Sequence, residues 1–204
     1  MGPPGAGKGT QATSLSTTLG VPQIATGDIF RANVSEGTEL GKTAKRYMEA
    51  GDYVPDSVTN EMVRSRLGEP DARAGFLLDG YPRTIDQVGT LDEILTELGS
   101  RLDGVVALSV PVDELVSRMV NRAHQDGRAD DTEDVIRHRQ VVYATQTAPL
   151  LDEYSRRGIL VEVDGTGTVE EVQARVLDAV HSLKGRAPLE TPGGNHVQVS
   201  TDER

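Results

Sequence analysis

Gly2-Pro3-Pro4-Gly5-Ala6-Gly7-Lys8-Gly9-Thr10 sets a lysine among glycines, directly ahead of a helical stretch. Glycines let a backbone turn tightly enough to aim several N–H groups at phosphate oxygens. The helix that follows adds its positive end, and Lys8 can reach the outer phosphates. That is the chemistry of a nucleoside triphosphate site. Against the strict pattern G-x-x-x-x-G-K-[ST], Gly9 stands in the hydroxyl slot and Thr10 follows, so the hydroxyl that helps to hold Mg²⁺ is displaced by one position. A plain Gly/Pro turn would account for the glycines but gives no use to a lysine between them.

Arg118 and Arg122 stand four apart on a helix expected to begin near Val112, so they share one face. Such a pair either converges on an anion or forms a solvated basic face paired with Asp113 or Glu114. Composition favours a local gathering of cations. The chain has 204 residues and a formal net charge of -11, which fits one domain and argues against nucleic acid or an anionic membrane as the main partner. It has no cysteine, hence no disulfide and no cysteine-based zinc site. No apolar run is long enough for a bilayer and no signal-peptide pattern opens the chain, so the expected place is the cytoplasm.

The elements that must position these groups have α/β order. Short apolar runs at Ile24-Ala25, Phe76-Leu77-Leu78, Val105-Val106-Ala107-Leu108 and Ile159-Leu160-Val161-Glu162-Val163 alternate with longer segments of helical period, as in a parallel sheet with crossover helices. Ligands then belong at the carboxyl ends of the strands. There stand Thr26-Gly27-Asp28, Asp79-Gly80-Tyr81-Pro82-Arg83, Pro111 and Asp164-Gly165-Thr166-Gly167. Thr168 to Glu171 reads as a capping box opening the last helix. Thr84 to Gln87 reads as another, and Asp28 as a helix cap. Residues 185–204 lack periodicity and are expected to be a disordered tail.

Taken in order, Gly2 to Thr10, Thr26-Gly-Asp-Ile-Phe-Arg31, Phe76-Leu-Leu-Asp-Gly-Tyr-Pro-Arg83, the Arg118/Arg122 pair, Gly127-Arg-Ala-Asp-Asp131 and Arg137-His-Arg139 resemble the motifs of the adenylate kinases, from Gly2 to about Leu183. A phosphate loop alone leaves many chemistries open, but the ordered series is specific. The resemblance implies a P-loop NTPase-like parallel sheet flanked by helices, the nucleoside monophosphate kinase architecture, over residues 1–184. An AMP-binding flap would span about 26–54, broken by Gly37, Gly41 and Gly51, and a short lid loop about 122–132. It implies an enzyme that transfers a phosphoryl group reversibly from MgATP to AMP, giving two ADP, with a lid that closes.

Phosphoryl transfer asks of a protein mainly positioning and cancellation of charge, and arginine suits the task because its planar fork grips phosphate with two N–H groups. By resemblance, Lys8, Arg83, Arg118, Arg122, Arg128 and Arg139 surround the moving phosphoryl. ATP is held by Gly5, Ala6, Gly7, Lys8, Gly9 and Thr10 with Arg118, Arg122 and Gly167. AMP is held by Thr26, Arg31, the backbone around Asp52-Tyr53-Val54, Gly80, Tyr81, Pro82, Arg83, Arg128 and Arg139, with Gln87 reading the adenine edge beside its capping role. Mg²⁺ comes with ATP and is held through water by Asp79, with Asp28 assisting, and no protein group ligates it directly. Long-lid members often carry zinc, and this chain has neither the length nor the cysteines for it. His124 is then a surface residue and His138 an exposed helix residue. The expected state is a monomer.

Two alternatives stay open: a kinase for another nucleoside monophosphate such as UMP or CMP, or a nucleotide-binding module without turnover. The second arises because family members carry a short apolar strand before the phosphate loop, central in the sheet, of which only Met1 would correspond here. The expectation is a start site encoded farther upstream, or a deliberate truncation.

Overall fold

The computed structural model describes residues 1–126 and 132–184. Helix α1 (Lys8–Leu19) is bracketed by two left-handed glycines, Gly7 at φ 85° and Gly20 at φ 66°. Next come β1 (Gln23–Ala25), α2 (Thr26–Glu36), α3 (Glu39–Ala50), α4 (Asp56–Leu67), a 3-10 turn at Pro70–Ala74, and β2 (Leu77–Asp79). The second half runs through α5 (Ile85–Glu97), β3 (Val105–Ser109), α6 (Val112–Asp126), α7 (Glu133–Val142), a π-helical turn at Tyr143–Thr147, α8 (Pro149–Arg156), β4 (Leu160–Asp164) and α9 (Val169–Lys184). Residues 127–131 and 185–204, with the expectations for Arg128 and the tail, lie outside the described residues.

All strand pairs among the described residues are parallel, in two two-stranded sheets. Gln23 to Ala25 run beside Leu77 to Asp79, and Val105 to Ser109 beside Leu160 to Asp164. Three of the four strands run one residue past the apolar run that marks them, ending on Asp79, Ser109 and Asp164. The ladder continues to the edge of the core, where a polar side chain meets solvent and the site. The Met1 amine donates to the Val106 carbonyl, and the Leu108 N–H donates to the Met1 carbonyl at 2.9 Å. Those two bonds are the pattern of a parallel bridge opposite Ala107, on the edge of β3 away from β4.

In the second sheet β3 is packed on both faces. Leu108, Val110 and Val163 pack with Leu15 of α1 and Val172 and Val176 of α9, while Val105 packs with Val88, Leu150 and Tyr154 on the other side. Burial on both faces explains why β3 reads as a continuous apolar run rather than an alternating one. Ile24 of the first sheet packs with Val63, Tyr81, Leu91 and Ile94. A smaller core of Phe30, Ala44 and Val54 lies within residues 26–54.

Several local expectations change. Gly37 and Gly51 do end helices in the left-handed region, at φ 68° and 78°, but Gly41 lies inside α3. A Cβ there would sit 2.0 Å from the Asn33 carbonyl oxygen, so this glycine lets α2 and α3 touch. Asp28 is not a cap: α2 begins at Thr26 with no side-chain capping bond. The stretch from Arg122 onward, expected as loop, is helical through Asp126, because no helix breaker stands before Gly127.

Candidate active site

The phosphate loop takes its shape from glycine geometry. Gly5 has φ 88° and Gly7 has φ 85°, and a Cβ on Gly5 would lie 2.8 Å from the Leu115 carbonyl oxygen. The loop therefore presses on α6 where only glycine fits. Ala6 beside it is buried. Lys8 curls over the loop, its Nζ donating to the carbonyls of Gly2 at 2.7 Å and Pro3 at 2.9 Å. From the far side Gln140 of α7 donates to the Pro4 carbonyl at 2.9 Å.

Asp79 ends β2 beside this loop. A Cβ built on Gly9 would lie 3.6 Å from its Oδ2, and Thr10 is exposed next to it. One carboxylate and one hydroxyl next to a phosphate cradle fit an Mg²⁺ carried by the nucleotide, which keeps most of its waters and needs only one or two carboxylates. Asp28 is engaged otherwise, in a close ion pair with Arg31.

Arg83 is the centre of the positive charge. Its Nε donates to the Gly80 carbonyl at 2.7 Å, and Thr26 donates to the same carbonyl at 3.1 Å. Burial pushes the Arg83 guanidinium below its ordinary range. Tyr53 and Asp79 oppose this, and the charges of Arg139 and Arg31 add to it. Guanidiniums gathered in a partly buried place suit an anion. Arg139 also reaches the Met48 carbonyl at 3.3 Å, and its neighbour His138 binds the Asp52 carboxylate at 2.7 Å. His138 thus ties α7 to the loop after α3, a contact that its reading as an exposed helix residue does not include.

Gln87 is almost fully buried and held at both ends. Its Oε1 accepts from the Arg83 backbone N–H at 2.7 Å, and its Nε2 donates to Asp56 at 2.6 Å. Half of the expected capping box forms, the Gln87 N–H donating to Thr84 Oγ1 at 3.2 Å. The return bond goes one residue farther back, to Arg83. The Tyr81 hydroxyl donates to Asn60 at 2.8 Å, and Val54 is buried in the smaller core with Phe30 and Ala44.

Arg118 stands apart, pairing with Glu114 at 2.6 Å and donating to the Gly165 carbonyl at 3.0 Å. Both readings of this face thereby meet in one residue: the guanidinium pairs within its helix and also touches the loop ahead of Gly167. That loop is framed from its other side by Arg175, which donates to the Asp164 carbonyl at 2.5 Å. The Thr168/Glu171 capping box closes as expected, at 2.9 and 3.3 Å. The side chain of Arg122 lies outside the described residues.

The structure thus brings Lys8, Asp79, Thr26, Arg83, Arg31, Arg139, Tyr53 and Gln87 to the carboxyl ends of the first sheet, and Arg118 with Gly167 to those of the second. Sequence reasoning missed Asp56, Gln140 and Thr147. Asp56 and Gln140 adjoin motifs and had that signal alone, while Thr147 had none, because its placement depends on a π turn that no periodicity marks.

A glycine-lysine phosphate loop, a carboxylate at a strand end and converging arginines on a parallel α/β core define a P-loop nucleoside monophosphate kinase. The sequence profile described as adenylate kinase matches residues 1–159. Curated adenylate kinases similar to this chain include that of Nocardioides sp., 61% identical over 88% of this chain and 94% of the relative. That of Thermobifida fusca is 57% identical over 92% and 97%, and that of Leifsonia xyli subsp. xyli 54% identical over 95% and 96%. The chain belongs to the adenylate kinase family.

Proposed function

We propose that this protein transfers the γ-phosphoryl of MgATP to AMP, giving two ADP, and runs the reaction in both directions. The observation that carries the reading is the gathering of Arg83, Arg31 and Arg139 near Asp79, at the end of the strand next to the phosphate loop. An AMP phosphate oxygen attacks the γ-phosphorus in line, the bond to the bridging oxygen breaks, and that oxygen leaves on ADP. Charge on the moving group would be cancelled by the guanidiniums and Lys8. Arg83, Arg31 and Arg139 would hold the AMP phosphate. Arg118 and Arg122 would act from the ATP side, and Arg128 from the AMP side. Mg²⁺ enters with ATP, and Asp79 would orient its waters.

For the base, Gln87 keeps one N–H and one lone pair beyond its bonds to Asp56 and Arg83. An adjacent donor and acceptor match the N1 and amino edge of adenine. We read the protein as a monomer acting in the cytoplasm, without zinc, nucleic acid or membrane as partner. Among the described residues no helix is long and apolar enough to cross a membrane.

A coupled assay comparing ATP alone with ATP plus AMP, UMP or CMP tests the reading. Turnover with AMP well above the other bases supports it. Preference for UMP or CMP would reassign the base, and nucleotide binding without turnover would leave only a binding module.

A further inference from the structure

We propose that the side chains of Tyr53 and Thr147 are positioning residues for Arg83, holding its guanidinium where AMP and the moving phosphoryl meet; the proposal rests on the phosphoryl-transfer reading above. The Tyr53 ring lies under the guanidinium, 4.8 Å from its central carbon to the ring centroid, within reach of a cation–π attraction. The Tyr53 hydroxyl is 2.8 Å from Thr147 Oγ1, and Thr147 Oγ1 donates to the Arg83 carbonyl at 2.8 Å. Each hydroxyl has a single hydrogen. Since that of Thr147 goes to Arg83, that of Tyr53 goes to Thr147, and the chain of donation runs Tyr53 to Thr147 to Arg83. Consecutive bonds of this kind polarise one another.

The π turn makes the arrangement possible. Its widened bond, Ala148 N–H to the Tyr143 carbonyl at 2.9 Å, inserts a residue between α7 and α8. Thr145 then bonds the carbonyls of Val141 at 2.9 Å and Val142 at 3.2 Å. Thr147 is left buried and turned toward Arg83. Such insertions recur at functional sites.

Arg83 is therefore gripped at four points: its N–H by Gln87, its carbonyl by Thr147, its Nε by Gly80, and its guanidinium face by Tyr53. Tyr53 adjoins the flap residue Asp52, which His138 ties to α7, so the ring joins the flap to the arginine. A guanidinium asked to serve two phosphates has little tolerance for displacement.

The test uses the full chain with Thr147→Val, Thr147→Ser, Tyr53→Phe, Tyr53→Leu and the Tyr53→Phe/Thr147→Val double variant. Steady-state kinetics with ATP and AMP are read beside the Arg83 Nε–H resonance. Thr147→Val is expected to lower kcat/KM for AMP by about tenfold or more, through both KM and kcat, with KM for ATP changed by less than about twofold. Thr147→Ser restores most of the loss. Tyr53→Phe resembles Thr147→Val, and the double variant is no worse than either single one, since both break one chain. Tyr53→Leu also removes the ring-current shift of Arg83 Nε–H.

Thr147→Val with unchanged kcat/KM for AMP, a loss that serine does not restore, or equal losses for ATP and AMP overturns the proposal while wild-type turnover stands. If Thr147→Val does not fold, Tyr53→Phe decides by the same criteria. A wild-type chain without ATP-plus-AMP turnover overturns the parent reading, and this inference with it.

Discussion

Gln87 is an amide with a structural task, to which the proposed function adds selectivity. Its buried ends satisfy Arg83 N–H and Asp56, so Gln87→Ala should lower stability by about 1–3 kcal/mol through groups left unpaired. If the remaining donor and acceptor read adenine, AMP affinity falls by a similar amount while ATP affinity holds. Melting curves and calorimetry on the single variant separate the two effects, and AMP affinity unchanged at lower stability leaves Gln87 a structural part alone. Lys8 also has a structural task, its ammonium holding the loop carbonyls of Gly2 and Pro3. Lys8→Ala is expected to stay folded and lose about a hundredfold or more in turnover, the scale of one preorganised donor to developing charge; near-normal kcat would remove it from the mechanism. These residues were legible because a motif sets their type and spacing. Their partners were not: that Asp28 pairs with Arg31, or that Gln87 bonds one residue beyond its cap, depends on side-chain reach across a turn.

Between helices, α3 meets the end of α2 near Asn33 at Gly41, with no room for a side chain. Gly41→Ala cannot be absorbed without parting the two helices, and overpacking of this kind costs about 1–3 kcal/mol. The loss should appear as a higher KM for AMP and a lower melting temperature with KM for ATP little changed. Unchanged AMP kinetics would show that the flap's internal packing does not set its grip on AMP. From sequence this glycine read as a helix break beside Gly37 and Gly51, which do end helices. Periodicity cannot tell a glycine that stops a helix from one that lets another helix approach. The capping box at Thr168 was legible because both of its partners lie within one turn. The π turn before α8 was not, because no local signal marks an inserted residue. The four strands were placed to within one residue at either end, the ladder continuing to a polar terminus that an apolar run does not include.

At the scale of the molecule, the parallel pairing divides into two sheets, and Met1 extends the second along the open edge of β3. Its amine is pushed from an ordinary 8.0 down to about 5, chiefly by burial, with the Lys8 charge adding and Asp79 opposing. The sign follows from linkage. Between those two values the unfolded chain binds a proton at this site that the folded protein excludes, so stability rises with pH from about 5 to 8 and is lost as pH falls through that window. The full effect is on the order of 4 kcal/mol, large against the about 5–15 kcal/mol of a whole domain. Adding a few aliphatic residues before Met1 converts the amine to an amide, which does not titrate. It also lays new backbone along β3 beside Val105, covering an edge otherwise open to aggregation. Each added side chain that becomes fully buried contributes about 1.5–3 kcal/mol. The lengthened chain is therefore expected to melt higher and to lose the dependence on pH between about 5 and 8 that denaturant titrations of the chain from Met1 should show. A lengthened chain with the same melting temperature and the same slope would mean that neither the amine nor the open edge of β3 governs the stability of the fold.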